Sequence, residues 1–140
     1  MRYINKQQKQ ELSKIAKKYK LKLIMLFGSF VNGTNRQSSD FDVAVLGKDK
    51  NIIQKDIELI NALTKILQKN VDLSIVNNAN PLLLEQVSKN AVLLYGSKID
   101  FFNFKLRAFH RYNDYAPYFK MEYEFIKKRV NYLVEKYACW

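Results

Sequence analysis

Asp40 and Asp42 flank Phe41. On a strand, residues two apart share a face, so both carboxylates project from one side while Phe41 turns to the other. Two carboxylates this close repel each other unless a cation lies between them. Magnesium favours hard oxygen ligands and shares its shell with phosphates, so the pair suits a magnesium-bound triphosphate. Taken alone, an Asp-x-Asp is most often an exposed turn. Three other features change that reading. Gly28-Ser29 follows an apolar run and precedes a helical stretch. A glycine there lets backbone approach a phosphate, and the first helical N–H groups with the Ser29 hydroxyl can bind its oxygens. Ten residues, Phe30 to Ser39, separate Gly-Ser from Asp-x-Asp. Asp72 stands near the start of another apolar run, Val71 to Val76. If the two runs are neighbouring strands, Asp72 faces Asp40 and Asp42. Three carboxylates on adjacent strands are what two-metal phosphoryl transfer requires.

These residues need elements to hold them. Residues 5–19 carry Leu12, Ile15, Ala16 and Tyr19 at helical spacing. Leu21 to Phe27 is a short apolar run ended by Gly28, a buried strand, and residues 29–35 form a short helix. Phe41 to Leu46 is a second strand, closed by Gly47. Residues 52–68 form the clearest helix, with Ile53, Ile57, Ile60 and Leu67 on one face and Leu63 and Ile66 beside it. Val71 to Val76 is the third strand. Pro81 opens another helix, where its missing N–H is not needed. Residues 91–95 are a short fourth strand before Gly96. The stretch from about 98 to 138 is helical and aromatic, and Pro117 is expected to kink or divide it. Beyond Pro117, Phe119, Tyr123, Ile126, Val130, Leu133 and Tyr137 step by four and three, a sustained apolar seam. The order α-β-α-β-α-β-α-β-α implies a mixed α/β fold: a small sheet flanked by helices, with a helical tail.

The 140 residues suit one domain, with a core over about 1–96 and a helical extension over about 97–140. The first ten residues are polar, no apolar run is long enough to span a membrane, and the single Cys139 has no internal partner. The expectation is a soluble cytoplasmic protein. Net charge is +11 and the pI about 9.7. Such charge attracts polyanions, but the lysines are scattered along the chain, and a dedicated nucleic-acid face usually clusters its charge. Nucleic acid is therefore a secondary reading.

Gly28-Ser29-x₁₀-Asp40-Phe41-Asp42 resembles the motif of the polymerase-β-type nucleotidyltransferase superfamily. The short length and the Phe27-Gly28-Ser29 opening resemble its minimal branch. That resemblance implies a polymerase-β-like core, with Gly28 and Ser29 at the nucleotide phosphates. It implies Asp40 and Asp42 on two magnesium ions and Asp72 on the ion nearer the nucleophile. The similarity continues through Pro81-Leu82-Leu83-Leu84, Ala91 to Tyr95, and the aromatic helix with Phe104, Ala108 and Tyr112-Asn113-Asp114-Tyr115. There the chain looks like the minimal nucleotidyltransferase (MNT) antitoxins encoded beside helical HEPN ribonuclease toxins. It implies transfer of AMP from ATP to a tyrosine of the toxin, docked through the C-terminal helices. Where many relatives carry an arginine shortly before the glycine equivalent to Gly33, this chain has Asn32, so a basic phosphate contact falls to Arg36 or a lysine.

Two other readings stand beside this one: a non-catalytic antitoxin acting by occlusion, and a nucleotidyltransferase acting on RNA or a small molecule. Drug-modifying relatives usually carry a larger C-terminal substrate domain, which is not evident here. His110, the only histidine, lies on the aromatic tail far in sequence from the carboxylates and reads as structural or surface. The aromatic residues from Phe101 to Tyr123 read equally as core and as an interface that a small domain leaves uncovered.

Overall fold

The computed structural model describes residues 3–33 and 40–137. Arg36 and Cys139 lie outside the described residues. Helix α1 (Lys6–Lys18) opens with a reciprocal cap. The Asn5 side chain accepts from the Gln8 N–H at 2.7 Å, and the Gln8 side chain accepts from the Asn5 N–H at 2.9 Å. This satisfies two donors that a helix start otherwise leaves unpaired. Strand β1 (Leu21–Phe27) follows, then a single helical turn, α2 (Ser29–Asn32), and strand β2 (Phe41–Gly47). A 3-10 stretch (Lys50–Lys55) leads into α3 (Asp56–Leu67). Strand β3 (Val71–Ile75), α4 (Pro81–Asn90), β4 (Val92–Tyr95) and α5 (Lys98–Tyr137) complete the chain.

The four strands form one mixed sheet in the order β3-β2-β1-β4. β1 runs antiparallel to both β2 and β4, while β2 and β3 are parallel. Each face buries its own core. On one face Ile24, Leu26, Val43 and Val45 meet Leu12 and Ala16 of α1 and Leu59 and Leu63 of α3. On the other, Met25, Phe27 and Ala44 meet Leu84 and Val87 of α4 and Phe104 and Ala108 of α5. The result is the expected mixed α/β arrangement, a sheet between two layers of helices.

Two details differ from the sequence reading. The buried stripe of the third helix is Leu59, Leu63 and Leu67, with Ile52 before it. Ile53 and Ile57 are exposed. Within α3 the stripe is set by leucines at four-residue steps, and Ile57, two residues before Leu59, lies about 200° around the helix from it and faces out. Pro117 does not divide the tail; α5 continues through it for 40 residues, about 60 Å. The missing N–H removes one helical hydrogen bond, a cost on the order of 3 kcal/mol that the turns on either side absorb. The first turns of α5 belong to the core through Phe104 and Ala108. Every residue from Lys120 to Tyr137 is exposed.

Candidate active site

The site forms at the end of the sheet where β1 stops and β2 and β3 begin. Phe41, Val43 and Val45 pack into the α1/α3 core, so Asp42 faces the opposite side of β2. Val71, Leu73 and Ile75 pack towards that same α1/α3 core, so Asp72 emerges on the face that carries Asp42. The parallel ladder sets Asp42 directly against Asp72, and a hydrogen bond from the Phe41 N–H to the Asn70 carbonyl, 2.9 Å, ties the two strand starts together. Asp40, exposed, lies just before β2. The structure thus brings all three sequence-predicted aspartates to one end of the sheet.

The β1 end closes on the same point. Phe27 pairs with Asp42 across the antiparallel ladder, which places Gly28 at the Asp42 side chain. Gly28 holds φ at 80°, a conformation that favours glycine. A methyl group added there would run into the Asp42 carboxylate, 2.8 Å from its carboxyl carbon. The Ser29 backbone N–H donates to that same carboxylate. Gly28 and Ser29, read from sequence as a phosphate cradle, therefore also form the seat of Asp42. Sequence spacing gave no signal of this contact, because it depends on the β1–β2 register. His110 is exposed on α5, one turn beyond Arg107, which reaches the opposite end of the sheet beside Gly47 and Asn77.

The electrostatics follow from this geometry. The Asp42 carboxyl is pushed above its ordinary pKa, chiefly by desolvation, then by the negative charge of Asp72. The Ser29 N–H works against the shift, and Asp40 adds to it. A carboxylate partly stripped of water and pressed by two like charges is a place where a cation is favourable. Among the described residues, no three acidic, His or Cys side chains are gathered tightly enough to enclose a metal ion. The fit of a hard divalent cation rests on the all-oxygen donor set and on the like charge it would relieve.

The family pattern described as polymerase beta, nucleotidyltransferase, matches residues 10–100, which contain every element of this site. The chain belongs to that nucleotidyltransferase family. Among the relatives of this nucleotidyltransferase is the protein adenylyltransferase MntA of Shewanella oneidensis, 38% identical over 81 residues. That match spans 58% of this chain and 58% of the relative's length. A crystal structure of a toxin–antitoxin with AMP-PNP has a chain that superposes with a TM-score of 0.67 at 31% identity, covering 87% of this nucleotidyltransferase and 97% of that chain. A structure of a tri-AMPylated Shewanella oneidensis HEPN toxin in complex with MNT antitoxin matches with a TM-score of 0.63 at 27% identity, covering 91% and 98%. No helix among the described residues is long and apolar enough to cross a membrane.

Proposed function

We propose that this chain is a cytoplasmic MNT-type antitoxin that transfers AMP from ATP to a tyrosine of a HEPN toxin partner and thereby silences it. The observation that carries this reading is the convergence of Asp40, Asp42 and Asp72 at one sheet end, against Gly28 and the Ser29 N–H. The AMPylated toxin in the complex of the Shewanella relatives supports the acceptor class.

In this reading Ser29 and the backbone at Gly28 bind and orient the triphosphate, and the close approach at Gly28 excludes water from the Asp42 side. Asp40 and Asp42 would hold two magnesium ions and Asp72 the one on the acceptor side; bound magnesium supplies charge screening at the phosphates and a lowered pKa for the attacking hydroxyl. The phenolic oxygen bonds to the α-phosphorus as the bond to the β-phosphate bridge breaks. Pyrophosphate leaves with the electron pair, and the phenolic proton passes to solvent. The projecting half of α5 is the docking element. Tyr123, Ile126, Val130, Leu133 and Tyr137 lie exposed at four- and three-residue steps, a seam suited to the grooves of a helical partner.

The test is to mix the protein with Mg·ATP and its genetically adjacent partner and read both intact masses. Whole AMP additions to the partner, absent with Asp42→Asn, are the expected result. A bound and inhibited partner with unchanged mass would replace transfer with occlusion. No binding and no mass change would move the acceptor to RNA or a small molecule.

A further inference from the structure

The end of the sheet opposite the aspartates carries the reverse charge. Two adjoining clefts, of about 550 and 440 Å³, share Lys22, Lys48 and Asp100 in their walls. Lys9 and Lys98 line the first, and Arg107 lines the second. These cations come from α1, β1, the end of β2 and the first three turns of α5, so nothing in the linear sequence marks them as a cluster. A β-bulge between Leu21 and Leu23 sends those two leucines to opposite faces of the sheet and leaves Lys22 exposed at the cleft. Asp100 is the one acidic residue lining these clefts among the described residues, and it sits 3.9 Å from the Lys22 ammonium. The neighbouring Lys48 is tied to the α1–β1 turn by its N–H, which donates to the Lys20 carbonyl at 2.9 Å. The floor of the larger cleft is apolar and aromatic: Leu21, Leu93, Leu94 and half-exposed Tyr95.

We propose that this cleft binds the backbone of single-stranded RNA. A concave groove with cations along its walls and an aromatic ring in its floor matches how proteins hold single strands, by phosphate contacts and base stacking. A flat acidic protein surface would meet the lysines but leave the floor unfilled. The inference does not depend on the transfer chemistry, since none of its residues stands among Gly28, Ser29 and the aspartates.

The test uses the full chain and a fluorescein-labelled RNA of about twelve uridines, read by anisotropy. The expected result is binding at about 50 mM salt, with log K falling against log salt by about 0.7 per phosphate neutralised. The cleft variant Lys48→Ala/Lys98→Ala/Arg107→Ala should weaken binding tenfold or more. The tail variant Lys120→Ala/Lys127→Ala/Lys128→Ala, which removes equal charge elsewhere, should change it less than twofold. All six side chains are on exposed residues, and the charge-keeping Lys48→Arg/Lys98→Arg/Arg107→Lys variant should retain binding. Equal losses in the two alanine triples would overturn the proposal, as would no wild-type binding at that salt. Displacement of the RNA by polyglutamate at matched charge would overturn it in favour of an acidic protein partner.

Discussion

At the scale of single residues, Asp42 bears opposing demands. Its carboxylate is seated by Gly28 and Ser29 for chemistry, yet desolvation and the charges of Asp72 and Asp40 make it costly to hold ionised. Because its folded pKa lies above the unfolded value of about 3.9, the native state binds the proton more tightly, and stability falls as pH rises through that window. In the presence of a metal chelator, Asp42→Asn should therefore melt higher than wild type at neutral pH. The difference should vanish as pH falls towards 4, and the same variant should lose transfer. Melting curves from pH 4 to 8 check both the sign and the window. Gly28→Ala makes the complementary case. It costs roughly 1–3 kcal/mol to hold an alanine in Gly28's backbone conformation, which is nearly reserved to glycine, and it drives the Asp42 carboxylate out of place. A shift of about 1 Å at such a site costs on the order of a hundredfold in rate, so transfer should drop by that order while the fold survives.

Among the elements, the parallel β2–β3 pair matters most, since it alone brings Asp72 to Asp42. Its far end is held by Asn77, whose side-chain amide donates to the Gly47 carbonyl and whose side-chain oxygen accepts from the Gly47 N–H, both at 2.8 Å. The Val76 N–H adds a bond to the Val45 carbonyl at 3.0 Å. Asn77→Ala leaves both Gly47 groups without partners in a half-buried setting and should cost about 1–3 kcal/mol, measurable by urea unfolding. Sequence reading found these strands because each is a short apolar run ended by glycine or a polar break, as at Gly28 and Gly47. It could not see the Asn77 clamp, since an asparagine that mimics a backbone strand looks like any loop residue. It also misjudged part of the buried face of α3, because isoleucines and leucines offer two stripes at helical spacing and only the packing against the sheet selects Leu59, Leu63 and Leu67. The aspartates were legible as a motif. The clash that forces glycine at position 28 was not, because register is a property of two strands together.

Over the whole molecule, the sheet separates two charges. Acidic groups gather at one end, basic groups at the other, and α5 carries the chain away from both. The lysines that looked scattered in sequence converge because a four-stranded mixed sheet brings the α1–β1 turn, the end of β2 and the start of α5 to one edge. Among the described residues, ending the chain at Phe119 removes only exposed ones. It should leave the melting temperature nearly unchanged and abolish capture of the helical partner; a truncated protein that still captures it would remove α5 as the docking element. Ending at Asp100 would instead delete Phe104 and Ala108 from the core and should unfold the domain.

The unsupported last turns of α5 also set a clock. A helical segment whose described residues are all exposed is held mainly by its own backbone bonds, and isolated helices near about 15 residues are marginal in water. Its amides should exchange with deuterium long before those of β1 and β2, whose opening requires the whole domain to unfold. Exchange at residues 120–137 would slow only when another molecule packs against them. Free and captured protein would then differ in a signal that grows residue by residue along one helix, and its pattern of three and four would print the footprint of whatever lies there.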